Sequence, residues 1–211
     1  MKNIKLDERL LAIAKLAEKN KIVADIGTDH GYLLIYLLTN NLIERAIATD
    51  VAIGPLNNAI DNFKNYGVSD KVTCLLSDGL KETPADIDTI IISGMGGFLI
   101  AKILKNSKYQ YNKIIVQANN HVDEVRKICE ELNYKIEYEE VVFSKNKYYE
   151  IMVLVPGKET LTELQIKYGP YNMIHKSENF IKMYQNKIDK LSNLKNDKVA
   201  ATIQEYKSII N

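Results

Sequence analysis

Val23-Ala-Asp-Ile-Gly-Thr-Asp-His-Gly31 is the stretch on which the fold turns. It emerges from a short apolar run, Lys21-Ile-Val-Ala-Asp25, with the length of a buried strand, and leads into residues 31–39, which read as a helix. A glycine-bearing turn between a first strand and a first helix is where doubly wound folds hold a cofactor. The alternation repeats outward. Residues 45–50, 71–76, 88–93 and 113–118 read as strands, and residues 54–66, 98–104 and 122–132 as the helices between them. Pro55 falls in the first turn of its helix, where a missing N–H is tolerated. Upstream, residues 6–19 carry apolar side chains at Leu6, Leu10, Ile13 and Leu16, which is helical spacing. Two further strands, 134–142 and 148–155, have no helix between them and are expected to pair antiparallel at one edge. Unbroken apolar strands alternating with helices imply an α/β fold, a mostly parallel seven-stranded sheet covered on both faces.

Pro156-Gly157 punctuates the chain, and helical sequence dominates beyond it, interrupted at Gly169-Pro170. Phe180, Tyr184, Ile188 and Leu191 form one apolar stripe, and Val199, Ile203, Tyr206 and Ile210 a second. The polar break Lys195-Asn-Asp197 between them fits an antiparallel, coiled-coil-like hairpin. The stripes can close on each other or on a second chain; a monomer is expected. The reading divides the chain into residues 1–156, an α/β cofactor-binding and catalytic domain, and residues 157–211, a helical domain.

Composition excludes several classes. The 211 residues carry 28 Lys+Arg and 27 Asp+Glu, a net charge of +1, so bulk charge does not drive nucleic-acid binding. From Pro156 onward, however, Lys+Arg number 9 and Asp+Glu 6, so the appendage is locally basic. Two distant cysteines, Cys74 and Cys129, make neither a disulfide framework nor a zinc site and suit a reducing cytoplasm. No metal site is expected. The longest apolar run, residues 32–38, is far below the roughly 18 residues of a membrane helix, and no membrane association is expected.

The first turn is Gly27-x-x-x-Gly31, with Asp29 where a dinucleotide fingerprint places its second glycine. A carboxylate there repels a diphosphate and argues against a nicotinamide enzyme. It suits a cofactor bearing an amine or sulfonium, and S-adenosylmethionine carries both and no phosphate. Asp25, at the strand end, is placed to meet its ammonium, with Gly27, Thr28 and Gly31 in the turn. Asp50, with Val51 after it, ends the second strand at a spacing that suits ribose hydroxyls. Ser77-Asp78-Gly79-Leu80 follows the third strand, and Asp78 could accept the adenine amino group. Taken singly, the acids of the first turn also read as helix caps, Asp50 as a solvent-facing strand-end residue and Asp78 as a turn residue; three after three successive strands are far more specific. Gly94, Met95 and Gly96, after the fourth strand, let a ligand approach the backbone closely. Asn119, after the fifth, could hydrogen-bond a substrate base or cap the next helix.

Ala24-Asp-Ile-Gly-Thr-Asp-His-Gly-Tyr-Leu33, Ser77-Asp-Gly-Leu80 and Ile92-Ser-Gly-Met-Gly-Gly-Phe-Leu-Ile100 resemble the bacterial tRNA (adenine(22)-N(1))-methyltransferase family. The resemblance extends to Arg9 in the opening helix, to Tyr148-Tyr-Glu-Ile-Met152 and, weakly, to the helical appendage around Gly169-Pro170. It departs where the family usually has Gln-Pro-Asn, here Gln117-Ala118-Asn119, and Leu-Pro, here Leu33-Leu34. The resemblance implies a class I, Rossmann-like S-adenosylmethionine-dependent enzyme, tRNA as substrate, and 1-methyladenosine as product. On that reading Asp29 tolerates the cation developing on the base, His30 and Tyr32 position it, and Asn119 reads its Watson–Crick edge. RNA phosphates would meet Arg9, Lys15, Lys176, Lys182, Lys187, Lys190, Lys195 and Lys198. A methyltransferase for another acceptor, or a non-catalytic module docking a protein through its helical hairpin, are the competing readings; the intact acids at 25, 50 and 78 count against the second.

Overall fold

A computed structural model describes residues 4–17, 19, 21–194 and 196–211. A seven-stranded sheet runs in the order β3-β2-β1-β4-β5-β7-β6. Its strands are β1 Ile22–Ile26, β2 Arg45–Asp50, β3 Val72–Leu76, β4 Thr89–Met95, β5 Ile114–Ala118, β6 Tyr134–Ser144 and β7 Lys147–Pro156. β1 to β5 pair in parallel, whereas β7 runs antiparallel to both β5 and β6. The expected antiparallel edge is present, and the turn joining it is tighter than the sequence reading implied. Only Lys145 and Asn146 separate β6 from β7, both at positive φ, the backbone that lets a two-residue turn follow the twist of its strands.

The central strands are buried on both sides because alternate residues feed two different cores. Val23, Ile91 and Ile115 point into one, against α1 Glu8–Ala17, α2 Tyr32–Thr39 and α3 Ile53–Tyr66. Ala24, Ile90, Ile92 and Val116 point into the other, against α4 Gly97–Lys105 and α5 Val122–Glu131. The first helix begins two residues later than its apolar spacing implied. Asp7 Oδ1 accepts from the Leu10 N–H at 2.9 Å and so caps a helix that starts at Glu8.

Beyond the sheet lie α6 Glu163–Tyr168, α7 Pro170–His175, α8 Glu178–Leu191 and α9 Asp197–Ile210. The last two form the expected hairpin, and Phe180, Tyr184 and Ile209 share a third core with Val141 of β6 and Tyr168. A buried ionic joint ties these helices down. Arg126 of α5 is fully buried; it donates to Glu139 of β6 at 2.8 Å, to Glu150 of β7, and to the Ile166 carbonyl at 3.2 Å. The second Glu139 oxygen accepts from the backbone N–H groups of Tyr171 and Asn172. Between α6 and α7, Gly169 has φ +90°, and a Cβ there would fall 2.4 Å from that carboxylate. The Gly169-Pro170 interruption is therefore the point where the chain passes an anion too closely for any side chain.

Removing one member of such a cluster strands buried charge, whose cost exceeds the gain the pair itself supplies. Arg126→Met is expected to lower stability by about 3 to 5 kcal/mol. For a protein of this size that is a fall in melting temperature on the order of 10 °C in differential scanning calorimetry; a change of one or two degrees would mean that the joint is not stabilising.

Candidate active site

Parallel strands all end at one side of the sheet, and a crevice opens where connections diverge, here between β1 and its neighbours β2 and β4. Asp25 of β1 sits at that point, aligned with Ala48 of β2 and Ile91 of β4. It is buried, and its carboxylate accepts from the Thr28 hydroxyl at 2.9 Å. Burial pushes its pKa up to about 6; the Thr28 hydrogen bond and the Arg9 charge oppose the rise, and Asp50 adds to it. The turn that follows is pinned to β2, because the N–H groups of Gly27 and Thr28 both donate to the Thr49 carbonyl at 2.9 and 2.8 Å. Gly27 has φ +75°, and a Cβ on it would lie 2.2 Å from the Met95 methyl, so the space over the turn is open only to glycine. Gly31 is buried against the Phe63 ring.

Asp29, His30 and Tyr32 point outward at the same place. Asp29 Oδ2 lies 3.7 Å from His30 Nε2, and the His30 and Tyr32 rings stack at 5.4 Å. Together with Arg9, Asp25 and Met95 they line a cleft of about 320 Å³. Asp50 ends β2 with its carboxylate accepting from the Ala52 N–H at 2.9 Å, and Val51 beside it is 69% exposed. The Ser77 N–H donates to the Asp50 carbonyl, which sets the third loop next to the second. Asp78 is exposed there and paired with Lys81, which holds its carboxyl below the usual range. The Leu80 side chain lies in the core, so Gly79 and the Leu80 backbone are what that loop presents.

Gly94 marks an irregularity in β4, where pairing with β5 shifts register between Ser93 and Met95. The bulge turns Gly94 toward Gln117 and Asn119. Gln117 is fully buried; its Oε1 accepts from Arg9 Nη1 at 2.6 Å and from the Gly94 N–H at 3.2 Å. Its Nε2 donates to Asn119 Oδ1 at 3.2 Å, and Asn119 Nδ2 donates to the Gly94 carbonyl at 2.7 Å. Gly96 follows at the start of α4, within reach of the Asn120 side chain. Gln117 was not singled out in the sequence, and Arg9 was read only as a phosphate contact. The signal for Gln117 was a lone amide inside Ile114-Ile-Val-Gln-Ala118, an otherwise apolar strand.

A second cleft, of about 810 Å³, opens beside Asn119 and runs to the β6–β7 turn and α8. Lys147, Lys187 and Lys190 line it. The Lys187 ammonium lies 4.3 Å over the Tyr184 ring, and burial holds its pKa below the usual range. The acids lining the cleft, Asp123 and Glu150, are bridged to Lys127 and Arg126, and Lys167 to Glu205. Phe143 and Tyr148 supply a tilted aromatic pair 4.7 Å apart. Of the other lysines named from sequence, Lys182 bridges to Glu178, Lys15 stands near Glu140, Lys176 caps α7, and Lys198 is on the exposed face of α9. Lys195 lies outside the described residues. Among the described residues no group of three His, Cys, Asp or Glu could hold a metal, and no helix is long and apolar enough to cross a membrane.

The donor set fits S-adenosylmethionine. Three carboxylates stand at or just past the carboxyl ends of three adjacent strands, two of them, Asp25 and Asp50, buried, and the glycine at the turn leaves room that a Cβ would fill. The N–H groups of Gly27 and Thr28, which a dinucleotide turn would offer to a phosphate, are spent on β2.

Residues 6–152 match the methyltransferase domain family. The chain is 32% identical over 161 residues to the tRNA (adenine(22)-N(1))-methyltransferase of Bacillus subtilis, covering 74% of this chain and 68% of that protein. Among solved structures, a putative tRNA (m1A22) methyltransferase from Streptococcus pneumoniae in complex with S-adenosyl-L-methionine superposes with a TM-score of 0.89 at 28% identity, over 98% of this chain and 100% of that one. The M. capricolum TrmK in complex with S-adenosyl-homocysteine gives a TM-score of 0.84 at 31% identity over 97% of both chains. With these likenesses running the length of the sheet, the site and the helical appendage, the chain belongs to the tRNA (adenine(22)-N(1))-methyltransferase family of S-adenosylmethionine-dependent enzymes.

Proposed function

We propose that this chain methylates N1 of adenine 22 in tRNA, with Asp25 and Asp29 as the central groups of its site. The observation that supports the reading most directly is the placement of a buried carboxylate, Asp25, at the chain reversal of the sheet, beside an open cleft lined by Asp29, His30 and Tyr32. S-adenosylmethionine supplies an electrophilic methyl group on a sulfonium. Asp25 binds the ammonium, Asp50 the ribose hydroxyls, and the Asp78 loop, with Gly79 and Leu80, the adenine end. Gly27, Thr28, Gly94, Met95 and Gly96 form the walls between them.

Adenine N1 has a lone pair in the ring plane and no proton to lose, so no general base is needed for the bond to form. The site must instead hold the base in line and accommodate the positive charge that moves onto the ring. Asp29 is exposed at the cleft mouth and carries the negative charge for this. His30 and Tyr32, already stacked, offer a flat surface for a base swung out of the RNA fold.

The RNA strand runs along the larger cleft. Lys147, Lys187 and Lys190 are not bridged to a carboxylate among the described residues and meet its phosphates, with Phe143 and Tyr148 available for stacking. Residues 157–211 thus act as the RNA-holding part and residues 1–156 as the catalytic part. The hairpin stripes of α8 and α9 close on each other within one chain, which supports a monomer. A tRNA substrate and two unpaired thiols support a cytoplasmic location.

Three outcomes are expected. Unmodified tRNA incubated with methyl-labelled S-adenosylmethionine yields label in 1-methyladenosine on nuclease digestion, and Asp29→Ala slows transfer about tenfold to a hundredfold. Label in another nucleoside would overturn the assignment. Binding of the ammonium needs the Asp25 anion, so cofactor affinity weakens as pH falls through about 6, approaching tenfold per unit below it, and Asp25→Asn abolishes the dependence. Calorimetric titration between about pH 5 and pH 8 reads this. The same raised pKa acts oppositely on the free protein, whose fold binds that proton more tightly than the unfolded chain does; its contribution to stability is present at low pH and lost as pH rises through about 6. Finally, Lys147→Gln with Lys190→Gln weakens tRNA binding about tenfold and lowers the slope of log affinity against log salt by about 1.4, the loss of two phosphate contacts to a single strand.

A further inference from the structure

Arg9, Gln117, Asn119 and Gly94 form a chain of hydrogen bonds in which every direction is set by the two donors, Arg9 and the Gly94 N–H, that meet at Gln117. A guanidinium has donors only, and so does a backbone N–H. Gln117 is held between one of each, Arg9 Nη1 at 2.6 Å and the Gly94 N–H at 3.2 Å, so both require its carbonyl oxygen. Its amide nitrogen must then face the other way, and it donates to Asn119 Oδ1 at 3.2 Å. Asn119 in turn has its oxygen on that side and sends Nδ2 to the Gly94 carbonyl at 2.7 Å. Gln117 is fully buried, so no water replaces a lost partner cheaply. Asn119 is exposed in the larger cleft, bonded to Gly94 of the smaller one, and its oxygen keeps a second lone pair.

We infer that Arg9 and Gln117 are positioning residues that fix the Asn119 amide with its oxygen toward the target base, and that this orientation selects a 6-aminopurine; the inference rests on the reading of the activity given above. Adenine places its 6-amino group next to N1. An oxygen facing that edge accepts from the amino group and leaves the N1 lone pair free. The flipped amide would donate to N1 and occupy the electron pair that must form the new bond. Guanine is rejected on the same geometry, since its O6 would oppose an oxygen and its N1 carries a proton. In the reaction the N1–CH3 bond forms as the S–CH3 bond breaks, sulfur keeps the bonding pair, and the ring becomes cationic. The 6-amino hydrogens become more acidic as that charge develops, so the bond to Asn119 strengthens toward the transition state. The network thereby acts on kcat as well as on binding.

The role is separable from support of the fold by a substrate with one group removed. A target RNA is made with adenine or with purine, which lacks the 6-amino group but keeps the N1 lone pair, at the methylated position. The wild-type protein is expected to favour adenine by roughly tenfold or more in kcat/KM, and to bind the adenine RNA more tightly in fluorescence anisotropy. Gln117→Glu keeps an acceptor for Arg9 and Gly94 and presents a second acceptor to Asn119, which must turn over. The preference should fall to within about twofold, mainly through slower reaction of adenine. Arg9→Met, measured alongside, removes the shorter of the two bonds to the Gln117 oxygen without placing a charge in the core and leaves the longer one from the Gly94 N–H, so it should lower the preference part-way, whereas Arg9→Lys retains a donor and should restore most of it. Melting temperature and S-adenosylmethionine affinity are followed in each variant. If both Gln117→Glu and Arg9→Met keep the wild-type preference, or if the wild-type protein shows none while methylating both RNAs, the inference is wrong and the activity stands. If the wild-type protein methylates neither RNA, the activity itself is wrong and the inference falls with it.

Discussion

Five parallel strands deliver their carboxyl ends to the same side of the sheet, and everything chemical in this protein depends on that constraint. Asp25, Asp50, the Asp78 loop, Gly94 and Asn119 are distant in sequence but stand at or just past the carboxyl ends of five adjacent strands, which lie in the order β3-β2-β1-β4-β5. Chain connections diverge from β1 to the two sides, and the crevice this leaves is where the buried carboxylate sits. Burial makes that carboxylate sensitive to pH around 6, while Asp29, four residues further on, stays in contact with solvent. The acid proposed to bind the cofactor's cation and the acid proposed to stabilise charge thus come from one nine-residue segment because the chain leaves the core between them.

The sheet does not by itself hold the second half of the site. The antiparallel edge strands β6 and β7 carry Glu139 and Glu150 into contact with Arg126, and the same guanidinium reaches the carbonyls that end α6. One buried cation therefore joins the covering helix α5, the edge of the sheet and the start of the helical appendage. It also consumes the negative charge of Glu150, which would otherwise face the large cleft. With that carboxylate committed inward, the lysines of the β6–β7 turn and of α8 present an uncompensated positive lining next to Asn119. A structural ion pair in this way sets the electrostatics of a surface it does not itself occupy.

Methylation of a ring nitrogen that carries no proton asks for little acid–base chemistry and much orientation. The site is built accordingly. His30 and Tyr32 are stacked, and the amide network reaches from α1 to β5 across 108 residues of sequence. Orientation here is a matter of which atoms can donate and which can accept, and a fixed donor at one end determines the polarity at the other.

Much was legible in the sequence alone. The alternation of apolar runs and helical stripes fixed the strands and their covering, since a strand buried on both faces must be apolar throughout. Asp29 in place of a glycine separated a cationic cofactor from a diphosphate, because charge sign is local and needs no coordinates. The Gly169-Pro170 break was visible, but its cause was not, since the carboxylate that crowds it comes from a strand 30 residues earlier. Arg9 looked like a surface cation, as arginine usually is, and only tertiary structure brought it, half-buried, onto Gln117. Lys187 looked like its neighbours on a solvated helix, yet packing against Tyr184 and facing a cleft set it apart. Sequence determined what each segment could be, through periodicity, charge and turn chemistry. Tertiary structure decided which buried donor met which acceptor, because hydrogen bonds act over about 3 Å in space, whereas their partners lie anywhere along the chain.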